Sequence, residues 1–389
     1  MNLQTGFQQV HQQRPTPMLS CRHVATRFRT IGHVGRNFAL NCRSLSTASE
    51  SSLKTIFSGI QPTGVPHLGN YLGALRQWKK LQDEASPDTT LIYSLVDLHA
   101  MTIRQDPVQL RQWKRESLAM LLAIGLDPKR SIIFHQSDVP AHAELMWILS
   151  CQASTGYLSR MTQWKDKTAG EKENSEKLKL GLFSYPVLQA ADILVHGTTH
   201  VPVGHDQAQH LEFAREVANG FNHSFQTTCL VPPTTMISPA KRVMSLTEPE
   251  AKMSKSARNE KSRILLTDSD QTIATKIKTA VTDSVEGLSY SPEERPGVSN
   301  LLDIMYHTTS MDVKDQDELA RSIGSIGMKM FKEQVAAAIK ETVGPIRERY
   351  QAIIQDQSML DQVTSEGAVK ARGSAEKTML KVREAVGLR

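Results

Sequence analysis

The chain has 389 residues, 39% hydrophobic and 22% charged, the balance of a soluble globular protein long enough for two cores. No stretch approaches the roughly 18 uninterrupted apolar residues of a membrane-spanning helix, so no membrane partner is expected. The net charge of +6 does not by itself point to nucleic acid, because the excess is confined to one end: residues 1 to 49 carry six arginines (Arg14, Arg22, Arg27, Arg29, Arg36, Arg43), no lysine and no acid, and the rest holds 40 basic residues against 40 acidic ones.

An acid-free, arginine-bearing leader rich in Ser, Thr and Gln has the composition of a mitochondrial transit peptide, here read over 1–48. Positive charge responds to an inside-negative membrane potential, and Arg43-Ser44-Leu45-Ser46 resembles a processing site. The expected location is the mitochondrial matrix. Four scattered cysteines (Cys21, Cys42, Cys151, Cys229) fit neither a disulfide framework nor a zinc cluster and suit a reducing compartment.

Beyond the leader, Lys54–Phe57 reads as a strand, Ser58–Gly64 as the loop after it, and Leu68–Leu81 as a helix. Leu91–Val96 is a second strand ending at Asp97, a helix follows over Val108–Ile124, and Ser131–Phe134 is a third strand. Asp138-Val139-Pro140 reads as a helix start with Asp138 as cap. The Lys- and Glu-rich residues 165 to 179 read as a solvated helix or loop. Structure resumes at Phe183–Pro186 and a helix through Asp192, then Val201–Val203 leads into Gly204-His205-Asp206-Gln207 and another helix. Strands alternating with helices predict a parallel sheet covered on both faces. From residue 259 the pattern turns helical: Phe331, Val335, Ile339, Val343, Ile346, Tyr350 and Ile353 form one face of a long helix with a bend at Gly344-Pro345, and Met379, Val382 and Val386 repeat the spacing.

Two segments carry chemistry. Pro62-Thr63-Gly64-Val65-Pro66-His67-Leu68-Gly69-Asn70 joins a strand to a helix and so aims backbone N–H groups at whatever sits above the sheet edge. Gly69 lets a flat base approach the backbone, and His67 and Asn70 can donate to phosphate. Alone, such a turn is most often only a turn. Lys252-Met253-Ser254-Lys255-Ser256 sets two lysines among small hydroxyls, a cationic flap able to follow a pyrophosphate. This string is expected in only on the order of one in ten thousand random chains of this length.

PHLGN (66–70) resembles the first signature of the class I aminoacyl-tRNA synthetases, and KMSKS (252–256) their second, in the right order and at roughly the 185-residue separation of that class. FSGIQPTG, GNYLGALRQW, YPVLQAADIL, VPVGHDQ, AVTDS and PGVSNLL are each similar to tryptophanyl-tRNA synthetases, from about Thr55 to the C-terminus. The resemblance implies a Rossmann-like, doubly wound α/β catalytic domain with an insertion over 53–258 and a C-terminal α-helical bundle, meeting the anticodon, over 259–389. It implies ATP contacts at Gln61, Pro62, Thr63, Gly69 and Asn70, the ribose side at Gly204, His205 and Asp206, adenine at Val243, and phosphates at Lys252, Met253, Ser254, Lys255 and Ser256. His67, Asn70, Lys252 and Lys255 would carry the rate, with Mg2+ arriving on ATP and no dedicated metal site. Asp192 would anchor tryptophan, since an indole N–H needs a fixed acceptor. Phe57, His99, Val201 and Val203 would wall the indole, with Tyr185 and Gln207 at the amino group; for these, plain core packing is the alternative. L-tryptophan, ATP and tRNA(Trp) are the implied partners, and a homodimer the implied assembly.

Three departures from the family pattern stand out: His205 where an acid is common, Ala257-Arg258 after the flap where Asp-Pro is usual, and Gln189 where a methionine is common. His196, His200, His205 and His210 crowd together, but without the spacing of a metal motif. A tyrosyl-tRNA synthetase and a non-catalytic RNA-binding relative are the rival readings; a dehydrogenase is disfavoured because no GxGxxG follows the first strand.

Overall fold

The structure is a computed structural model that describes residues 53–168, 179–204, 207–237, 242–255, 257–309 and 311–389. The leader read over 1–48, the charged stretch from 169 to 178, and His205, Asp206 and Ser256 lie outside the described residues.

Five parallel strands form the centre: β1 (Thr55–Ile60), β2 (Thr90–Leu95), β3 (Ile132–His135), β4 (His200–Val203) and β5 (Thr234–Ile237), in the order β3-β2-β1-β4-β5. Thr55 pairs with Thr90 and Ile60 with Leu95, while Ile56 pairs with His200 on the other side. The chain thus winds outward from β1 to β3, then returns past β1 to build β4 and β5. The reversal leaves a crevice beyond the carboxyl ends of β1 and β4, the topological switch point of an open α/β sheet.

Residue alternation explains why both faces are covered. Ile56, Leu91, Tyr93, Leu95 and Ile133 enter one core, and Phe57, Ile92 and Phe134 enter the other. Each such fully buried side chain contributes roughly 1.5–3 kcal/mol. After β1 the chain forms α1 (Leu68–Asn70), a wider π-type turn over Tyr71–Leu75, and α2 (Arg76–Glu84), which presents Trp78 to Tyr93 with the rings stacked at 4.8 Å. Then come α3 (Asp97–Ala100), α4 (Pro107–Ala123), α5 (Ala141–Ser150), α6 (Thr155–Arg160), α7 (Thr162–Thr168), α8 (Leu180–Leu194) and α9 (Ala208–Ser224). Asp106 caps α4, accepting from the Val108 and Gln109 amides at 3.0 and 2.8 Å, with Pro107 in the first turn.

The helical remainder comprises α10 (Asp270–Lys278), α11 (Pro296–Thr308), α12 (Gln316–Ile323), α13 (Met328–Ile353) and α14 (Gln357–Ala385). The face anticipated on α13, from Phe331 to Tyr350, is buried, and the helix runs on through Pro345. These helices pack onto the sheet: α11 and α13 join the first core, while Ala371, Ala375, Met379 and Val382 of α14 join the second.

Local details differ from the expectation. Asp138 caps no helix; it ends a short 3-10 turn, and α5 starts at Ala141 after Pro140. Strand β1 extends to Ile60, beyond the expected end at Phe57, because Ser58 to Ile60 keep pairing with β2. Helix α8 begins at Leu180, ahead of Pro186, and carries that proline inside it.

Candidate active site

The loop leaving β1 closes on itself, with the Thr63 amide donating to the Gln61 carbonyl at 3.0 Å, and Gly64 adopts φ +105°, a conformation favouring glycine. His67 then caps α1. Its Nδ1 accepts from the Asn70 amide at 3.2 Å, and Asn70 Oδ1 accepts from the His67 amide at 3.1 Å, a reciprocal capping box. With Nδ1 accepting, the proton of a neutral ring resides on Nε2, and with Oδ1 committed, Asn70 keeps its NH2 as a donor.

The flap residues fold back over this turn. Met253 donates its amide to the Val243 carbonyl at 3.1 Å, Lys252 bridges Met244, and Met253 is buried. The chain then returns beneath the first segment: Leu68 donates to the Ile264 carbonyl at 2.8 Å and Leu266 to the Pro66 carbonyl at 3.1 Å. Lys255 completes the closure, its Nζ donating to the Gly64 carbonyl at 2.9 Å. At the loop exit, Arg263 donates to the Ala257 carbonyl at 2.8 Å, which fixes the first of the two residues standing in place of Asp-Pro.

The electrostatics are cationic. Burial, reinforced by the nearby charges of Lys255, Arg263 and Lys252, pushes the His67 imidazole down to about 3, so it is neutral near pH 7. Burial lowers the Lys255 ammonium to about 8. A neutral imidazole donor beside two lysines and an arginine suits a polyphosphate.

Two cavities open at the switch point and share Asn70, Ala74 and Gly204 in their walls. The larger, about 800 Å³, is lined by His67, Gly69, Asn70, Gly204, Val243, Lys252 and Met253 among others. The smaller, about 410 Å³, brings together Phe57, His99, Tyr185, Asp192, Val201, Val203 and Gln207, with Gln61 at its edge. Pro62, Thr63, Ser254 and Lys255 line neither cavity, although Pro62 and Thr63 follow Gln61 directly and Lys255 reaches the same loop.

Asp192 sits on α8 with 1% exposure, and both oxygens of its carboxylate accept hydrogen bonds. His99 Nε2 donates to Oδ2 at 2.8 Å; Gln136 Nε2 and His142 Nδ1 donate to Oδ1 at 2.6 and 2.7 Å. Burial pushes this acid up, but the hydrogen bonds from His142 and His99 outweigh it and hold it down at about 2. Gln136 also accepts the Leu98 amide at 3.0 Å, which ties α3, and so His99, to the same carboxylate. Gln136 and His142 escaped the sequence reading: one sits in a short turn and the other inside a helix, with nothing in the local pattern to mark either.

Tyr185 donates its hydroxyl to Gln163 Oε1 at 2.7 Å and meets His210 Nε2 at 3.1 Å, which places its hydroxyl at the wall of the smaller cavity. Gln189 lines the smaller cavity and donates to Gln207 Oε1 at 3.2 Å, which gives this departure a polar tie across the pocket wall. His196 is buried against Phe57, rings 5.8 Å apart, and no group of three or more potential metal ligands occurs among the described residues.

Residues 51–344 match the model of the family described as tRNA synthetases class I (W and Y). A mitochondrial tryptophan–tRNA ligase of Schizosaccharomyces pombe is 42% identical over 346 residues, covering 86% of this chain and 95% of that protein. The crystal structure of the tryptophanyl-tRNA synthetase from Mycoplasma pneumoniae superposes with a TM-score of 0.78 at 31% identity, covering 87% of this chain and 98% of that one. The Campylobacter jejuni tryptophanyl-tRNA synthetase, solved with ADP and tryptophan, gives a TM-score of 0.69 at 32% identity, covering 86% and 99%. At these identities and coverages, the chain belongs to the class I tRNA synthetases of the tryptophan and tyrosine family, among the tryptophan–tRNA ligases.

Proposed function

We propose that this chain activates L-tryptophan with ATP and loads it onto tRNA(Trp) for translation in the mitochondrial matrix. One observation carries the reading: the turn carrying Gly69 and the flap carrying Lys252 and Met253, far apart in sequence, line one cavity, with Lys255 bonded back to Gly64, and that cavity shares walls with a second one that reaches a buried carboxylate.

ATP takes the larger cavity, adenine against Val243 and Gly69, ribose beside Gly204 with His205 and Asp206, and phosphates toward Gln61, Pro62, Thr63, His67, Asn70 and the flap from Lys252 to Ser256. Tryptophan takes the smaller, its indole N–H on Asp192, its ring between Phe57, His99, Val201 and Val203, and its amino group near Tyr185 and Gln207. A carboxylate oxygen of tryptophan attacks the α-phosphorus in line, the bond to the bridging β-phosphate oxygen breaks, and pyrophosphate leaves. The Asn70 amide, the His67 Nε2–H and the Lys252 and Lys255 ammonium groups stabilise the charge that builds on the phosphates. No protein nucleophile is required. The terminal ribose 2′-hydroxyl of the tRNA then attacks the adenylate carbonyl, losing its proton as AMP leaves. Mg2+ would enter with ATP and would supply charge neutralisation to the phosphates, held mostly by ATP and water and not by protein side chains.

Residues 53–258 form the catalytic part in this reading, 259–389 meet the anticodon, residues 1–48 are the targeting leader, and the protein works as a homodimer. Tryptophan-dependent ATP–pyrophosphate exchange tests the core of it: exchange is expected with tryptophan and not with tyrosine. Exchange with tyrosine alone, or RNA binding without any adenylate, would sink it.

A further inference from the structure

A carboxylate has two oxygens and about four lone-pair sites, and at Asp192 they are unequally occupied. Oδ1 takes two strong donors, Gln136 at 2.6 Å and His142 at 2.7 Å, whereas Oδ2 takes only His99 at 2.8 Å. Asp192 and His99 line the smaller cavity; Gln136 and His142 do not, and both are 0% exposed. Oδ1 is therefore saturated from behind, and the remaining acceptor site belongs to Oδ2.

His142 does little else. Its Nε2 is buried without a hydrogen-bond partner, and its ring packs among those of His196 and Phe134, 5.1 and 5.7 Å away between centroids. Burying an imidazole with one nitrogen unpaired is unfavourable, and an apolar side chain would fill the space on α5 at lower cost. The polar function retained at this position is the bond from Nδ1 to Asp192.

We propose that His142 is a positioning residue for amino-acid selection: with Gln136 it saturates Oδ1 of Asp192 and so presents Oδ2 alone as the acceptor for the indole N–H. This rests on the reading of Asp192 as the tryptophan anchor. Rotation of the carboxylate is blocked from the rear, so a side chain without a ring N–H meets an ionised oxygen it cannot satisfy.

The test compares L-tryptophan with its sulfur isostere, 3-benzothienylalanine, which lacks only the N–H donor, in ATP–pyrophosphate exchange by the full chain. His142→Asn keeps a nitrogen donor near the Nδ1 position and is expected to keep the preference for tryptophan. His142→Gln, similar in volume, moves its amide toward the Nε2 position, and the preference is expected to fall roughly tenfold or more, the scale of a lost hydrogen bond to a charged group. The loss should appear in KM for tryptophan, with KM for ATP and for the isostere within about twofold of the parent, a split that general destabilisation does not produce. A His142→Gln preference equal to the parent's, an equal loss for both amino acids, or a loss in His142→Asn as well overturns the proposal. Asp192→Asn separates the two layers: if it leaves the preference intact, the anchor reading itself falls, and if it abolishes the preference while His142→Gln does not, only the role of His142 falls.

Discussion

Lys255 and Gly64 are 191 residues apart in the chain, yet the lysine ammonium donates to the glycine carbonyl at 2.9 Å. The bond joins the flap to the loop that leaves the central strand, and it holds the ammonium in a place where burial lowers its pKa to about 8. A charge needed for phosphate stabilisation is present below that value and lost as pH rises through it. The expected result is a kcat/KM for ATP that is flat below about pH 7 and falls on the alkaline side with a midpoint near 8, because this parameter reports the free enzyme. Lys255→Arg, whose guanidinium stays charged, should remove that limb, and Lys255→Ala should lower the exchange rate by roughly 10²–10³. An unchanged alkaline limb in Lys255→Arg would assign the titration to another group.

His67 has two separable tasks, and substitutions can part them. Its Nδ1 caps α1, while the Nε2–H is the donor offered to the larger cavity. Asparagine is a good N-cap and retains the first task without the reach for the second. His67→Asn should therefore keep the urea midpoint close to the parent while lowering kcat, whereas His67→Ala should also lose about 1 kcal/mol of stability. The imidazole is held down at about 3 by burial and then by Lys255, Arg263 and Lys252, so it stays neutral from pH 5 to 8. No acidic limb in the rate profile over that range should disappear in either variant.

The sheet was readable because its strands alternate between two cores, as Ile56 and Phe57 or Ile92 and Tyr93 show, and because each run ends at a turn signal. Asp192 was readable for a related reason: an acid inside Ala190-Ala191-Asp192-Ile193-Leu194 must have partners. Its partners were not readable. His142 is fixed by where α5 lands relative to α8, and the pairing of Pro66 and Leu68 with Leu266 and Ile264 is a long-range contact that no local pattern encodes. Strand β5 escaped because its four residues follow Pro232-Pro233, which reads as loop. Asp138 misled in the opposite way, having the right residue type for a cap but sitting three positions ahead of the helix.

Helix α14 is bound to the sheet at a glycine. A Cβ on Gly367 would lie 1.8 Å from the Ile133 carbonyl oxygen, far inside contact distance, and both partners are backbone. Nothing flexible can yield, so the helix must lift from β3. Gly367→Ala should cost about 3 kcal/mol in urea unfolding despite alanine's better helix propensity. A stabilised Gly367→Ala would mean that no such close backbone approach between α14 and β3 exists in solution.

Gly69 tests whether the two cavities hold different substrates. A Cβ there would meet the His67 ring at 3.0 Å, so that ring must give way by a few tenths of an ångström, and would just touch Val243 Cβ at 3.4 Å. Those side chains line the larger cavity and not the smaller one. Gly69→Ala is expected to raise KM for ATP roughly tenfold, the effect of losing about 1.4 kcal/mol of binding, with the tryptophan Kd unchanged when measured without nucleotide. Tryptophan binding should be read directly, by quenching of the protein's own fluorescence, since KM for one substrate can shift when the other binds poorly. Equal losses for both ligands would mean that the substitution disturbs the shared wall at Asn70, Ala74 and Gly204, and the division of the site into a nucleotide half and an amino-acid half would have to be redrawn.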